Sequence, residues 1–260
     1  MNEQEIDAMI RRLTSRFAAS RADRPDQHGI LAGEAAYPLA RMIDHTALKP
    51  ETSTGDVWTL CDEARTFGFA SVCVNGCYVP LAAEWLHDSD VEVCAVIGFP
   101  LGGNRTEVKV REAELAISDG ASELDMVLNV GMLQSEHYEY VESDIHAVVT
   151  ALRRTRKEGV IKVIIETALL SDEQKVIACV LAQNAGADFV KTSTGFSKGG
   201  ATASDVALMR RAVGGKMGVK ASGGIRTRDD AETMIAHGAT RIGASASVAI
   251  IQGSQGVSSY

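Results

Sequence analysis

The chain has 260 residues, 45% of them hydrophobic and 23% charged, with a formal net charge of −8. This is the composition of an ordinary globular chain. The acidic balance argues against a nucleic-acid partner, which needs a basic face, and no apolar run approaches the ~18 residues of a membrane span.

The N-terminus begins Met-Asn-Glu-Gln-Glu, which is acidic and lacks the basic-then-apolar layout of a secretion signal. Over residues 3–20, Ile6, Ile10, Leu13 and Phe17 recur at steps of four, three and four, the stripe of an amphipathic helix. Pro25 and Gly29 then break a polar stretch. Residues 1–40 thus read as a helical extension ahead of the main fold, whose stripe is free either to cap the barrel predicted below or to pack on a second subunit.

From Arg41 one unit repeats: a short apolar strand, a turn and an amphipathic helix. Strands are predicted near 41–45, 69–74, 91–97, 122–128, 160–166, 187–192, 217–221 and 239–243. The clearest helix follows the fourth strand, where Val141, Ile145, Val148, Val149 and Leu152 share one face. Alternating strands and helices imply right-handed βαβ units and a parallel sheet. Eight units predict a single-domain (β/α)8 TIM barrel with an N-terminal helical extension. A doubly wound open sheet is the alternative, but no G-x-G-x-x-G follows the first strand. Residues 252–260 read as a Gly/Ser-rich tail. Tyr260 at its end is long enough in reach to return to the strand ends and relay a proton there.

The function of such a barrel sits at the C-terminal ends of its strands. Asp44, Cys73, Asp125, Glu166, Lys191 and Lys220 all fall at or near such ends. A lone lysine there most simply reaches water, yet buried parallel strands are near-continuous apolar runs. Here two lysines close two consecutive strands, in Val190-Lys191-Thr192-Ser193-Thr194-Gly195 and Val219-Lys220-Ala221-Ser222-Gly223-Gly224. Two ammonium groups in one desolvated site oppose each other's charge, and a lysine moved towards neutrality is the nucleophile that forms a Schiff base with a carbonyl. Asp125 is the candidate acid/base, unless it is only the ion partner of Lys220. Physical reasoning leaves open which lysine attacks. Gly195, Gly223, Gly224 and the run Gly243-Ala244-Ser245 follow strands six to eight, where loop backbone in these barrels binds phosphate. Each glycine alone is equally consistent with a tight turn. Glu166 either orients one of the two lysines or balances charge near Lys162, and Cys73 lines the pocket.

The motifs Glu123-Leu124-Asp125-Met126-Val127, VKTSTG and VKASGG, in this order and spacing, make the chain resemble the deoxyribose-phosphate aldolases, a class I aldolase family. The resemblance runs from Ile43-Asp44-His45-Thr46 to Ser245. It implies reversible cleavage of 2-deoxy-D-ribose 5-phosphate to D-glyceraldehyde 3-phosphate and acetaldehyde. It assigns the Schiff base to Lys191, tips Asp125 towards catalysis with Lys220 as its partner, and has Asp44 and Thr194 hold a sugar hydroxyl. Family members often carry two adjacent serines at the last phosphate contact. This chain reads Ser245-Ala246-Ser247, which puts one hydroxyl contact in question. A longer phosphorylated sugar, cleaved by another class I aldolase or a transaldolase, is the alternative substrate. An isomerase and a non-enzymatic binding protein are the more distant readings.

No metal or other cofactor is expected. The six histidines (His28, His45, His87, His137, His146, His237) are dispersed, and Cys73-x-x-x-Cys77 has no second pair. Five scattered cysteines suit a reducing cytoplasm. The expected partners are a phosphorylated sugar and an aldehyde, and the apolar stripe of the extension makes a homo-oligomer the expectation.

Overall fold

The computed structural model describes residues 3–17 and 38–254. Pro25, Gly29 and Tyr260, with the readings attached to them, lie outside the described residues. Eight parallel strands close into one barrel in chain order: β1 (Ile43–Ala47), β2 (Ser71–Val74), β3 (Glu92–Ile97), β4 (Glu123–Val127), β5 (Val160–Ile164), β6 (Phe189–Lys191), β7 (Gly218–Ser222) and β8 (Arg241–Ala244). This is a (β/α)8 TIM barrel. Every predicted strand is present, displaced by at most a few residues at its ends.

The helices are α1 (Glu3–Arg16), α2 (Thr54–Phe67), α3 (Val79–Trp85), α4 (Thr106–Ser118), α5 (Val130–Gln134), α6 (Tyr138–Thr155), α7 (Asp172–Ala185), α8 (Ala203–Val213), α9 (Arg228–Ala236) and α10 (Ser247–Gln252). Local chemistry sets many of their ends. Ser53 with Asp56, Ser171 with Gln174 and Thr227 with Asp230 form capping boxes at α2, α7 and α9. Each box satisfies two backbone donors that the first turn leaves unpaired. Gly68 and Gly186 end α2 and α7 in the left-handed conformation.

The stripe of helix α1 finds a cover within this chain, on the outer helices of the barrel. The helix lies along the outside of α7 and α8, burying Met9 and Leu13. Arg211 pairs with Asp7 at 2.7 Å, and Arg12 with Glu173 at 2.6 Å. An apolar stripe demands a cover but does not name it, and the outer helix ring supplied one.

The apolar core fills the layer between strands and helices, with Val141, Ile145, Val148, Val149 and Leu152 all buried as predicted. The barrel interior is different. Gly218 on β7 is required there, because a Cβ would overlap the Phe189 ring. Above that ring the interior is charged.

Candidate active site

Strand register lifts the charged side chains to neighbouring positions. Lys191 pairs with Lys220 between β6 and β7, and Asp125 with Lys162 between β4 and β5. Side chains from β1, β4, β5, β6, β7 and β8 meet one another, which only the barrel interior allows. Asp125 Oδ2 accepts from Lys191 Nζ and Lys220 Nζ, each at 2.7 Å. Asp125 Oδ1 accepts from Lys162 Nζ at 2.9 Å. Asp44 lies 2.5 Å from Lys220, 2.8 Å from Arg241 and 3.6 Å from Lys162. Glu123 receives Lys162 at 2.5 Å and Arg241 at 3.3 Å. Four cations therefore face three carboxylates, all in a largely dry space.

The electrostatics follow from this packing. Burial pushes the Asp125 carboxyl up, but attraction to Lys162, Lys191 and Lys220 outweighs it and holds the group well below the usual carboxylate range. Burial also opposes ionisation of Asp44, and Lys220, Arg241 and Lys162 again win. Burial pushes Lys220 down, yet Asp125 and Asp44 together raise it above an ordinary lysine. Lys162 is raised in the same way, by Asp125, Cys94, Glu123 and Asp44 against its burial. Lys220 and Lys162 are locked cations.

Lys191 differs from the other cations. Among the described residues its ammonium has one carboxylate partner, Asp125, whereas Lys220 and Arg241 have two each and Lys162 three. It also stands at the last position of β6, beside the loop that leads out of the barrel. The residues Lys191, Lys220 and Asp125, singled out in the sequence, thus meet at one oxygen atom. Lys162, Glu123 and Arg241 complete the cluster and were not singled out for it. Lys162 carries the same signal as Lys191, a lysine within an apolar strand.

Glu166 faces neither lysine. Its Oε2 accepts from Thr194 N at 3.2 Å and from Thr194 Oγ1 at 2.5 Å, so it holds the loop after β6, with its own backbone left-handed at φ 56°. This corrects the expectation that it orients a lysine or balances Lys162. Thr194 Oγ1 also accepts from Phe196 N at 3.1 Å. Asp44 and Thr194 are not hydrogen-bonded to each other, and the Asp44 carboxylate is turned into the ion cluster. Gly195, Gly223 and Gly224 have positive φ of 87°, 85° and 81° at the ends of β6 and β7. Gly243 leaves room for a lysine of the cluster, since a Cβ there would lie 2.9 Å from Lys220 Cε. Ser245 is half-buried beyond β8, while Ser247 is buried and bonds His45 Nδ1 at 3.0 Å. Cys73 and Cys94 flank Asp125 on the side away from β6.

Comparison with known proteins places the chain in a family. The sequence profile of the DeoC/LacD family aldolases matches residues 39–259. The chain belongs to the DeoC/LacD aldolase family. It is 60% identical over 222 residues to the deoxyribose-phosphate aldolase of Clostridium perfringens, covering 85% of this chain and 98% of that protein. It is 60% identical over 215 residues to the deoxyribose-phosphate aldolase of Listeria innocua, covering 83% of this chain and 95% of that protein. The tetrameric deoxyribose phosphate aldolase of Aeropyrum pernix superposes with a TM-score of 0.77 at 31% identity, over 97% of both chains. As a DeoC/LacD aldolase, this protein is a lyase. Among the described residues, no helix is long and apolar enough to cross a membrane.

Proposed function

We propose that this aldolase cleaves 2-deoxy-D-ribose 5-phosphate reversibly to D-glyceraldehyde 3-phosphate and acetaldehyde, through a Schiff base on Lys191. The observation that carries the reading is the sharing of Asp125 Oδ2 by Lys191 and Lys220, with Lys191 holding the fewest ion partners of the four cations. Taking the proton from Lys191 breaks one ion pair, and it leaves three cations facing three carboxylates.

In the cleavage direction, neutral Lys191 adds to the open-chain C1 aldehyde and gives a carbinolamine. Loss of water leaves a protonated imine. A base takes the proton of the C3 hydroxyl, the C2–C3 bond breaks, and its electron pair enters the imine to form an enamine. Glyceraldehyde 3-phosphate departs. Protonation at C2 and hydrolysis release acetaldehyde and regenerate the amine. Asp125, 2.7 Å from the Lys191 nitrogen, is positioned to move these protons directly or through one water. Lys220 remains charged throughout and supports the transient anionic charge of the hydroxyl. Asp44 orients Lys220 and binds the sugar hydroxyl together with Thr194.

The loops carrying Gly195, Gly223, Gly224, Gly243 and Ser245 receive the phosphate through backbone N–H groups, which glycine lets approach closely. The scheme uses no metal or other cofactor. The expected setting is the cytoplasm, and the expected assembly is a homo-oligomer, as the tetrameric Aeropyrum pernix relative supports. The test is product identification. Incubation with 2-deoxyribose 5-phosphate should yield acetaldehyde and glyceraldehyde 3-phosphate in equal amounts. Inertness towards this sugar, with cleavage of a longer phosphorylated sugar instead, would overturn the reading.

A further inference from the structure

Two buried thiols stand beside Asp125 and take no part in the chemistry above. Cys73 on β2 and Cys94 on β3 occupy paired positions on neighbouring strands, and both are fully buried. Cys94 Sγ lies 3.1 Å from Asp125 Oδ1, and Cys73 Sγ lies 4.0 Å from Asp125 Oδ2. One ligand atom from each of the three residues lies within 4.8 Å of the others. In a tetrahedral zinc site with Zn–S of ~2.3 Å and Zn–O of ~2.0–2.2 Å, ligand atoms stand roughly 3.5–3.8 Å apart. The Cys94–Oδ1 distance is a little shorter than that spacing and the Cys73–Oδ2 distance a little longer, so small side-chain adjustments bring the three donors to it. We propose that Cys73, Cys94 and Asp125 form a binding site for a soft divalent cation, zinc or cadmium, whose occupation inhibits the enzyme.

Charge first argues against any cation here, because Lys162, Lys191 and Lys220 all sit on Asp125. Thiol chemistry removes the objection. A cation M²⁺ that binds two thiols releases two protons and leaves M(SR)₂, so the charge of the barrel interior does not change. Magnesium and calcium, which take oxygen ligands, gain nothing from this exchange. Because binding releases two thiol protons, cation affinity rises with pH. The thiols pack with Leu48 and Val96, and Phe99 covers them from the loop after β3. Val96 and Lys191, beside the three donors, retain slight exposure.

The consequence for catalysis follows from the oxygens. Oδ1 of Asp125 accepts from Lys162, and Oδ2 accepts from Lys191 and Lys220. A bound cation takes one of them. Asp125 is then withdrawn from a lysine and cannot act as the base.

The experiment uses the full chain with Cys77→Ser, which removes the exposed thiol, under a phosphine reductant. Cadmium is titrated and the thiolate-to-cadmium charge-transfer absorption is followed. One cadmium per chain is expected, with zinc inhibition that EDTA reverses and no effect of magnesium. Adding Cys73→Ser or Cys94→Ser should weaken cadmium binding, and raise the zinc concentration for half-inhibition of each variant's own rate, by about tenfold or more. Cys73→Ala and Cys94→Ala repeat the measurement without a buried hydroxyl. Absence of the absorption band, or binding and inhibition unchanged in these variants, would overturn the proposal. The band is read without turnover, so failure of this site is distinguishable from failure of the Lys191 assignment, on which the inhibition rests.

Discussion

Lys191 and Lys220 reach from neighbouring strands to the same atom, Asp125 Oδ2, each at 2.7 Å. The two are not equivalent. Lys220 is held a second time by Asp44 at 2.5 Å and stays charged, whereas Lys191 depends on Asp125 alone among the described carboxylates. A fixed ammonium beside a less constrained one gives one lysine the role of nucleophile and the other that of electrostatic partner.

Lys220→Met should therefore leave a folded protein whose kcat/KM at neutral pH falls on the order of 10²–10⁴-fold. The pH–rate profile should also move, because a fixed positive charge that shares Asp125 Oδ2 with Lys191 is gone. A slower enzyme with an unmoved profile would show that Lys220 serves the substrate and does not act on Lys191.

The same ion network sets a pH window for stability. Asp44 and Asp125 are held below the usual carboxylate range. Their contribution is fully present above the unfolded value of ~3.9 and is lost as pH falls towards the folded value. Lys220 is raised, so its contribution is fully present below ~10.4 and is lost as pH rises through the folded value. Urea unfolding should show a plateau from about pH 5 to about pH 9. Asp44→Asn should remove about one proton from the acid limb, or about 1.4 kcal/mol per pH unit. An acid limb of unchanged slope would mean that Asp44 titrates alike in folded and unfolded chains.

Glu166 tests the loop that carries Thr194. Glu166→Gln keeps a carbonyl oxygen that can accept from Thr194 N and Oγ1, so activity should stay within a few-fold of the parent. Glu166→Ala leaves two buried donors without their acceptor, at ~1–3 kcal/mol per group, and kcat/KM should fall by about tenfold or more. Equal activity of the two variants would show that the Thr194 loop needs no such tether.

Gly224 tests the phosphate reading. Its φ is +81°, which strains any L side chain, but a Cβ there would have no heavy atom within 4 Å, so Gly224→Ala reports the backbone strain and an aspartate adds only charge to it. Relative to Gly224→Ala, Gly224→Asp should raise KM for 2-deoxyribose 5-phosphate steeply and leave any turnover of unphosphorylated 2-deoxyribose nearly unchanged. Inorganic phosphate should compete with the first substrate only. Parallel losses on both sugars would place the phosphate elsewhere.

Much of this site is legible because a parallel strand buried on both faces is an apolar run, against which Asp125, Lys191 and Lys220 stand out. Lys162 stands out equally in Val160-Ile161-Lys162-Val163-Ile164. Its membership of the cluster depends on register across the barrel, which one strand read alone does not reveal. Arg241 opens β8, where a charged residue ordinarily meets solvent, yet its guanidinium turns inward to Asp44 and Glu123. Glu166 escapes the sequence for a related reason: its left-handed backbone redirects the side chain to Thr194. The position of α1 is illegible in principle, since its stripe fits any apolar cover. The Cys73–Cys94 juxtaposition likewise appears only once β2 and β3 are paired.

The central claim is that Lys191, and no other lysine of the cluster, carries the covalent intermediate. Incubation of the protein with acetaldehyde, reduction with borohydride and peptide mass spectrometry tests it directly. An N-ethyl group on Lys191 that is absent from Lys191→Ala is the predicted result. An adduct on Lys220 or Lys162, or no adduct while turnover continues, would contradict it.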